Sequence, residues 1–342
     1  MDQVAVVILN HNGKHLLAKF LPSVVQYSAP HRIILVDNAS TDDSLPFIKQ
    51  NYPDLPCICL DKNEGFARGY NLALQTIKAK YYALLNTDVE VTPQWMVPLL
   101  QLLEANPHIA ACQPKLLSYN NKNKFDYAGA GGGFIDMLGY PFCRGRLFDT
   151  IEEDQGQYND NKAVFWASGA CLLIRAAVFW QLGGFDERLF AYYEEIDLCW
   201  RIQQQGLQVY YCGKSQVYHV GSATMGNNNA YKTYLNFRNS ALVLYKNTPV
   251  HFLGWKHWLR FFLDLVAAAK ALVQGQTKHS WAIVKAKVAF LQLKNKYQPT
   301  HQHHTINNMY RGLVPFAYFI GRKKQFSKLS TRKLQASTSA KP

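Results

Sequence analysis

Apolar and polar positions take turns along the first hundred residues in a repeating order. Val4-Ala5-Val6-Val7-Ile8-Leu9 is a continuous apolar run that stops at Asn10-His11-Asn12-Gly13. An apolar run closed by a polar loop predicts a parallel strand buried on both faces. Leu16, Leu17, Phe20, Leu21, Val24 and Val25 then recur at helical spacing over residues 14–28. Ile33-Ile34-Leu35-Val36 predicts a second strand, ending at Asp37-Asn38-Ala39-Ser40, and Thr41-Asp42-Asp43-Ser44 has the composition of an N-cap for a helix reaching Asn51. Cys57 to Leu60 predicts a third strand, residues 65–79 a helix, Tyr81 to Leu85 a fourth strand and Pro93 to Glu104 another helix. Strand and helix alternating in this way predict an α/β fold with a mostly parallel, doubly wound sheet.

The pattern changes after Asn106-Pro107. Segments 109–118, 163–174 and 207–220 are strand-like, and 228–246 is helical. Gly129-Ala130-Gly131-Gly132-Gly133 lacks the strand and helix that flank a phosphate loop, and reads as a flexible β-loop. From Phe252 on, Trp255, Trp258, Leu259, Phe262, Leu265, Val266, Ala269, Leu272 and Val273 repeat at helical spacing, and Trp281, Val284, Val288 and Leu291 do so again. Asp264 and Lys270 interrupt the first of these runs, which is too short and too charged for a membrane span. Three regions result: 1–247 as the α/β domain, 248–322 as a basic amphipathic helical extension, and 323–342 as a polar, basic tail without structure.

Charge sharpens that division. The net charge is +14, yet residues 251–342 hold 16 Lys and Arg against one acid, Asp264, so the excess sits entirely in the last quarter. An anionic partner for the extension follows, and an anionic membrane surface suits Trp, aliphatic residues and Lys on one helix. Nucleic acid is excluded as a partner, because the rest of the chain is near neutral and carries no nucleic-acid motif. Cys57-Ile58-Cys59 has the wrong spacing for a zinc knuckle or a redox motif. No basic segment precedes the first strand, which predicts no signal peptide and a cytoplasmic protein, peripheral on the inner face of the cell membrane.

Ligands of a doubly wound sheet bind at the carboxyl ends of its strands. Polar residues collect there: Asn10-His11-Asn12, Asp37-Asn38, Asp61-Lys62-Asn63 and Asn86-Thr87-Asp88. Neither GxGxxG nor GxxxxGK[ST] occurs, which argues against a dinucleotide fold or a P-loop. Further on, Glu194, Glu195 and Asp197 open the helix-compatible run Ile196-Asp197-Leu198-Cys199-Trp200-Arg201. Acids at a helix start are favoured by the dipole and the free N–H groups, and place a general base at a helix mouth. The same residues also allow a plain Asp197–Arg201 pair at i,i+4.

These motifs, with Asn63-Glu-Gly65-Phe66, Ala167-Ser168-Gly169-Ala170, Gly183-Gly184-Phe185-Asp186-Glu187 and Tyr218-His219, follow one another in the order seen in family 2 glycosyltransferases. The chain resembles the rhamnosyltransferase-like bacterial members over residues 3–245. The resemblance implies the nucleotide-diphospho-sugar transferase fold, GT-A, and an inverting transfer that uses Mn2+ or Mg2+. Asp37 would then contact the base, Asn10 would line the same pocket, and Asn63, Gly65 and Phe66 would close around the nucleoside. Asn86-Thr87-Asp88 falls at the family's DxD: Asp88 keeps a metal-binding carboxylate, while Asn86 replaces the first Asp. His219 matches a metal-binding histidine. Glu195 stands where the family has its catalytic Asp, with Glu194 and Asp197 as alternates. The implied donor is a nucleotide-diphosphate sugar such as dTDP-rhamnose, and the acceptor a hydroxyl of a cell-surface glycan or lipid-linked intermediate. A sugar-nucleotide-binding protein without turnover is the alternative.

Overall fold

A computed structural model of the chain describes residues 2–221, 229–299, 306, 308–330 and 333–334. The first half runs β1 (Asp2–Asn10), α1 (Lys14–Tyr27), β2 (Arg32–Asp37), α2 (Ser44–Asn51), β3 (Cys57–Cys59), α3 (Gly65–Leu74), β4 (Ala79–Asn86), β5 (Val89–Val91), α4 (Met96–Ala105) and β6 (Ile109–Ser118). Four short strands follow: β7 (Gly133–Asp136), β8 (Pro141–Cys143), β9 (Arg146–Leu147) and β10 (Thr150–Ile151). Then come β11 (Asn161–Val164), β12 (Cys171–Arg175), α5 (Ala176–Gln181), α6 (Glu194–Gln204), β13 (Gln208–His219) and α7 (Ala230–Asn247). The chain continues through α8 (Val250–Val273), α9 (Thr277–Leu293), β14 (Met309–Tyr310) and α10 (Val314–Phe319).

The main sheet has the order β11-β13-β6-β12-β4-β1-β2-β3, with β5 on β13. The β4-β1-β2-β3 half is parallel, as its apolar runs require. Alternate residues of β1 serve opposite faces. Val4, Val6 and Ile8 join one core with Leu17, Leu21 and Leu99, while Ala5 and Val7 join another with Tyr70 and Phe179. The other half is mixed, because β12 enters antiparallel between β4 and β6. The expected helix over 65–79 stops at Leu74, since the chain must turn for Ala79 to pair beside Asp2.

Strands β10-β9-β8-β7-β14 form a second sheet that the sequence pattern does not announce. The glycine stretch expected to be flexible is packed beside it. A Cβ on Gly133 would lie 2.2 Å from the Trp166 ring, so only hydrogen fits there.

The helical extension is attached by charge. Arg260, Asp264 and Lys287 are buried together. Asp264 accepts from Arg260 Nε at 3.0 Å, from Tyr140 at 3.3 Å and from Lys287. Arg260 also donates to Leu138 O and Ser240 Oγ, both at 2.8 Å. Helix α8 therefore turns its charged and small residues inward: Arg260, Asp264, Ala268 and Ala271 are buried. Its aromatic and aliphatic stripe faces out, with Trp258 74% exposed and Phe262 60%. The polar tail begins later than its composition suggests. Phe326 packs on Phe134 and Phe142 and its N–H donates to Glu152, and Leu329 is buried. Residues 335–342 of that tail lie outside the described residues. Among the described residues, no helix is long and apolar enough to cross a membrane.

Candidate active site

The parallel half of the sheet supplies the first wall. Asn10 ends β1 and Asp37 ends β2, in register. Asn10 Nδ2 donates to Asp37 Oδ1 at 3.1 Å and to Ser40 Oγ at 3.0 Å, which leaves the buried Asn10 Oδ1 without a partner. Asn38 ties this wall to the next loop, donating to Asn63 Oδ1 at 3.1 Å and Gly65 O at 3.0 Å. Gly65 has φ +74°, and a Cβ there would stand 2.5 Å from the Phe190 ring. Phe66 and Ala67 donate their N–H groups to Phe190 O at 2.7 and 3.1 Å. The Asn63–Phe66 loop is thus bound to the segment that leads into the acidic run.

Asn86 ends β4, and Thr87-Asp88 turns the chain into β5, which pairs with the end of β13. That pairing sets Asp88 beside His219: Asp88 Oδ1 lies 3.2 Å from His219 Nε2. The opposite ring nitrogen, Nδ1, lies 3.0 Å from Asp126 Oδ2. All three residues are buried. Burial works against a charged imidazole, but Asp126 and Asp88 outweigh it and hold His219 well above its ordinary range. Burial raises Asp88, and the neighbouring His219 more than reverses that, so Asp88 sits below the usual carboxylate range.

The acidic run opens α6 after a strained approach. Phe190, Tyr192 and Tyr193 have φ of +65°, +70° and +74°, a region costly for side chains of this size. Helix α7 holds them there. Asn239 Nδ2 donates to Leu189 O, Ala191 O and Tyr192 O at 2.9, 2.8 and 2.7 Å. Glu194 is buried, Glu195 is part-buried, and each has one buried carboxylate oxygen without a partner. Burial pushes Glu195 up to about 7, and burial together with the Glu195 charge raises Glu194 well above its ordinary value.

Asp197 has a different surrounding. It accepts from Arg201 Nε at 2.8 Å, Lys246 Nζ at 3.0 Å and Asn247 Nδ2 at 2.9 Å. Burial opposes its charge, but Arg201 and Lys246 bring it down to about 2. A carboxylate held this way is a poor proton acceptor. The expectation that Asp197 is an alternate base gives way to the plain ion pair, which fastens α6 to α7.

The segment Ala167–Ala170 joins these parts. A Cβ on Gly169 would meet the Phe66 ring at 3.4 Å and Glu195 Cβ at 3.8 Å. Ala170 O accepts from Asn86 N–H at 3.0 Å, and Ser168 Oγ donates to Ala128 O at 2.8 Å, beside Asp126. Asn86, Gly169, Phe66 and Glu195 are thereby brought together, Asn10, Asp37, Asn63 and Gly65 join them through Asn38, and Asp88 and His219 through Asp126 and Ser168. Sequence reasoning missed Asp126 and Asn239. Asp126 sits in a loop 93 residues before its histidine, and Asn239 lies inside an ordinary helix.

Among the described residues, no three His, Cys, Asp or Glu side chains form a ready-made cation cage. Asp88 and His219 still suit a divalent ion. Oxygen and neutral imidazole nitrogen are its ligands, so an ion held there would take the place of the Nε2 proton that now faces Asp88. Asp126 would then orient the ring through the other nitrogen.

Residues 5–183, more than half of the chain, match the profile of glycosyl transferase family 2. The chain belongs to that family. This family 2 glycosyltransferase is 26% identical over 300 residues to N-acetylglucosaminyl-diphospho-decaprenol L-rhamnosyltransferase of Mycobacterium tuberculosis, covering 82% of this chain and 95% of that protein. It is 27% identical over 217 residues to rhamnosyltransferase WbbL of Escherichia coli, covering 61% and 80%. Its fold is GT-A. Mannosyltransferase PcManGT from Pyrobaculum calidifontis, solved with GDP-Man and Mn2+, superposes with a TM-score of 0.51 at 14% identity, covering 85% of this chain and 87% of that one. GalNAc-T7, solved with UDP, GalNAc and Mn2+, gives 0.55 at 19% identity, covering 71% and 48%.

Proposed function

We propose that this glycosyltransferase inverts the anomeric centre as it moves a sugar from a nucleotide-diphosphate sugar to a hydroxyl of a lipid-linked or cell-surface glycan. The observation that carries the reading is Glu195: a carboxyl at a helix mouth, with one oxygen unpartnered and an affinity for protons near neutrality. A base so poised accepts the acceptor's proton at physiological pH. Attack from the opposite face then displaces the nucleotide in one step, with no enzyme nucleophile. Asn10 and Asp37 hold the nucleoside end of the donor, and the Asn63–Phe66 loop covers it. Asp88 and His219 would hold Mn2+ or Mg2+, and such an ion neutralises charge on a departing diphosphate. Positioning two substrates against Glu195 supplies much of the rate. The rhamnosyltransferase relatives favour a rhamnose donor, and the decaprenol-linked acceptor in the name of one favours a lipid-linked acceptor; dTDP as the carrier rests on the family resemblance.

The outward stripe of α8 supports attachment to an anionic membrane surface on the cytoplasmic face. Trp255, Trp258, Phe261, Phe262, Leu265 and Val266 are exposed together. Lys270 lies 5.0 Å from the Phe319 ring, and Phe319 and Ile320 of the α10 end are exposed as well. Trp and aliphatic groups interleaved with Lys suit an interface better than water.

The test is a panel of sugar nucleotides scored by thermal stabilisation and by transfer, with and without Mn2+. At least one should raise Tm, because a ligand that binds only the folded state stabilises it. Asp88→Asn and His219→Ala should each weaken the Mn2+-dependent part, and together should weaken it by less than the sum. Donor binding indifferent to EDTA removes the metal from the proposal. Binding with no transfer to any acceptor hydroxyl, or hydrolysis alone, favours a sugar-nucleotide-binding protein instead.

A further inference from the structure

Arg146, on β9, is a buried cation that forms no ion pair among the described residues. It is 6% exposed. Its Nη2 donates weakly to Cys143 Sγ at 3.8 Å, its guanidinium lies 4.3 Å from the Tyr127 ring centroid, and its Nε has no acceptor. Other buried arginines of the chain are satisfied. Arg144 pairs with Asp160 at 2.8 Å, Arg260 with Asp264 at 3.0 Å, and Arg238 donates to Asn239 and to two backbone carbonyls. Burying a guanidinium whose Nε meets no acceptor and whose Nη2 meets only a thiol is unfavourable. A fold that keeps one there in the free protein gains from it when an anion arrives.

Its place in the fold indicates which anion. The residues next to Arg146 are Tyr127 and, close enough to act on it electrostatically, Asp126. Asp126 forms no ion pair with Arg146; its Oδ2 is taken by His219 Nδ1 at 3.0 Å and Ala128 N–H at 2.8 Å. Ala128 O in turn receives Ser168 Oγ at 2.8 Å, from the segment that borders Glu195. The guanidinium thus packs on Tyr127, the chain neighbour of the Asp126 that holds His219, and Tyr127 itself is 52% exposed. We propose that Arg146 is an anion-binding residue of the active site that takes a phosphate group of a diphosphate substrate. A planar fork of five donors matches two phosphate oxygens at once. The choice of diphosphate rests on the sugar-nucleotide reading above; the need for an anion does not. The diphosphate is supplied either by the donor or by a lipid-linked acceptor.

The experiment compares full-length wild type, Arg146→Met and Arg146→Lys by calorimetric binding and thermal melting. The probes are inorganic pyrophosphate, the nucleotides UDP, GDP and dTDP, and farnesyl diphosphate. Arg146→Met should fold and melt at or above the wild-type temperature without ligand, since it removes an uncompensated charge. It should lose about tenfold or more in pyrophosphate affinity, the worth of a hydrogen bond to a charged group. Arg146→Lys should regain part of that loss. A parallel loss for one of the nucleotides assigns the donor diphosphate; a loss for farnesyl diphosphate with nucleotides unchanged assigns the acceptor. The proposal is overturned if wild type binds none of the probes, if Arg146→Met binds them within twofold of wild type, or if Arg146→Met fails to fold. These readouts need no turnover. Anion binding without sugar transfer would keep the subsite and refute the transferase reading, and transfer with unchanged anion binding in Arg146→Met would do the reverse.

Discussion

Glu195→Gln should disable the enzyme and stabilise the fold at the same time. The carboxyl is pushed up to about 7 by burial, against an ordinary 4.5. A raised carboxyl means that the folded state holds the proton more tightly than the unfolded chain. Its contribution is harmless below pH 4.5, where both states are protonated. As pH rises from 4.5 to about 7 the unfolded chain gives up its proton first, so stability falls, and above 7 the fold carries a desolvated carboxylate at a constant cost. The displacement corresponds to about 3 kcal/mol at 1.36 kcal/mol per unit, and partial exposure of the side chain brings the expectation to roughly 2 kcal/mol. Glutamine has nearly the same shape and no charge, so the variant should gain that amount at pH 8 and almost nothing at pH 4. Transfer should fall by about 10²–10⁴-fold, the usual worth of a general base. Urea denaturation at the two pH values reads the first effect, and single-turnover transfer reads the second. In wild type kcat/KM should rise through about pH 7 as Glu195 ionises; Glu194→Gln should keep this limb, because the limb belongs to Glu195. A Glu195→Gln protein that is less stable than wild type at pH 8, or that transfers at a similar rate, refutes the reasoning. Loss of the limb in Glu194→Gln instead moves the base to Glu194.

Two other residue sets give distinct expectations. Asp197→Asn should cost about 3–5 kcal/mol, because it leaves Lys246 and Arg201 around a neutral amide; melting at neutral pH checks it, and a folded, stable but inactive variant would return Asp197 to the chemistry. Its carboxylate contribution is present above the unfolded value of 3.8 and is lost as pH falls through about 2. Trp258→Glu with Phe262→Glu should leave the melting temperature near wild type, since both side chains face out, yet abolish sedimentation with vesicles of anionic lipid. Wild-type protein that ignores such vesicles ends the membrane proposal.

The parallel strands and the loops at their ends were legible because each strand is a long apolar run, and burial on both faces needs no partner to be recognised. Asn10, Asp37, Asn63 and Asp88 stand at those ends for topological reasons that the order of elements already contains. The second sheet was not legible: β8, β9 and β10 are two or three residues long, too short for a period to appear. The antiparallel entry of β12 was hidden because its apolar run suits either direction. Asp126 and Arg146 lie in loops and short strands with no periodic signal, and their meaning depends on residues far away in the chain. Glu194, Glu195 and Asp197 looked alike in sequence. Only their neighbours separate them, Lys246 and Asn247 for the last, nothing polar for the buried oxygens of the first two.

Helix α8 shows most directly how a pattern can be read correctly and still leave its direction open. Its period predicts a helix with an apolar face, and the ordinary outcome for such a helix is to bury that face. Here the opposite face is buried, because Arg260 and Asp264 find Leu138, Ser240, Tyr140 and Lys287, groups supplied by three other stretches of chain. A charged pair with every acceptor and donor met can be taken inside. The stripe is then left outside, and its partner has to come from elsewhere. The same packing links the stripe to the chemistry. Helix α9, which carries Lys287, packs on α7, and α7 carries Asn239, Lys246 and Asn247, which hold the approach to Glu195 and the ion pair beneath it. A chain cut after α7 would expose that buried contact, so it cannot separate membrane binding from folding; charges placed on the outward stripe can. Because stripe and base are joined by this continuous packing, attachment would set the orientation of Glu195 relative to the lipid surface, which benefits an acceptor anchored in that surface and gives nothing to one free in water.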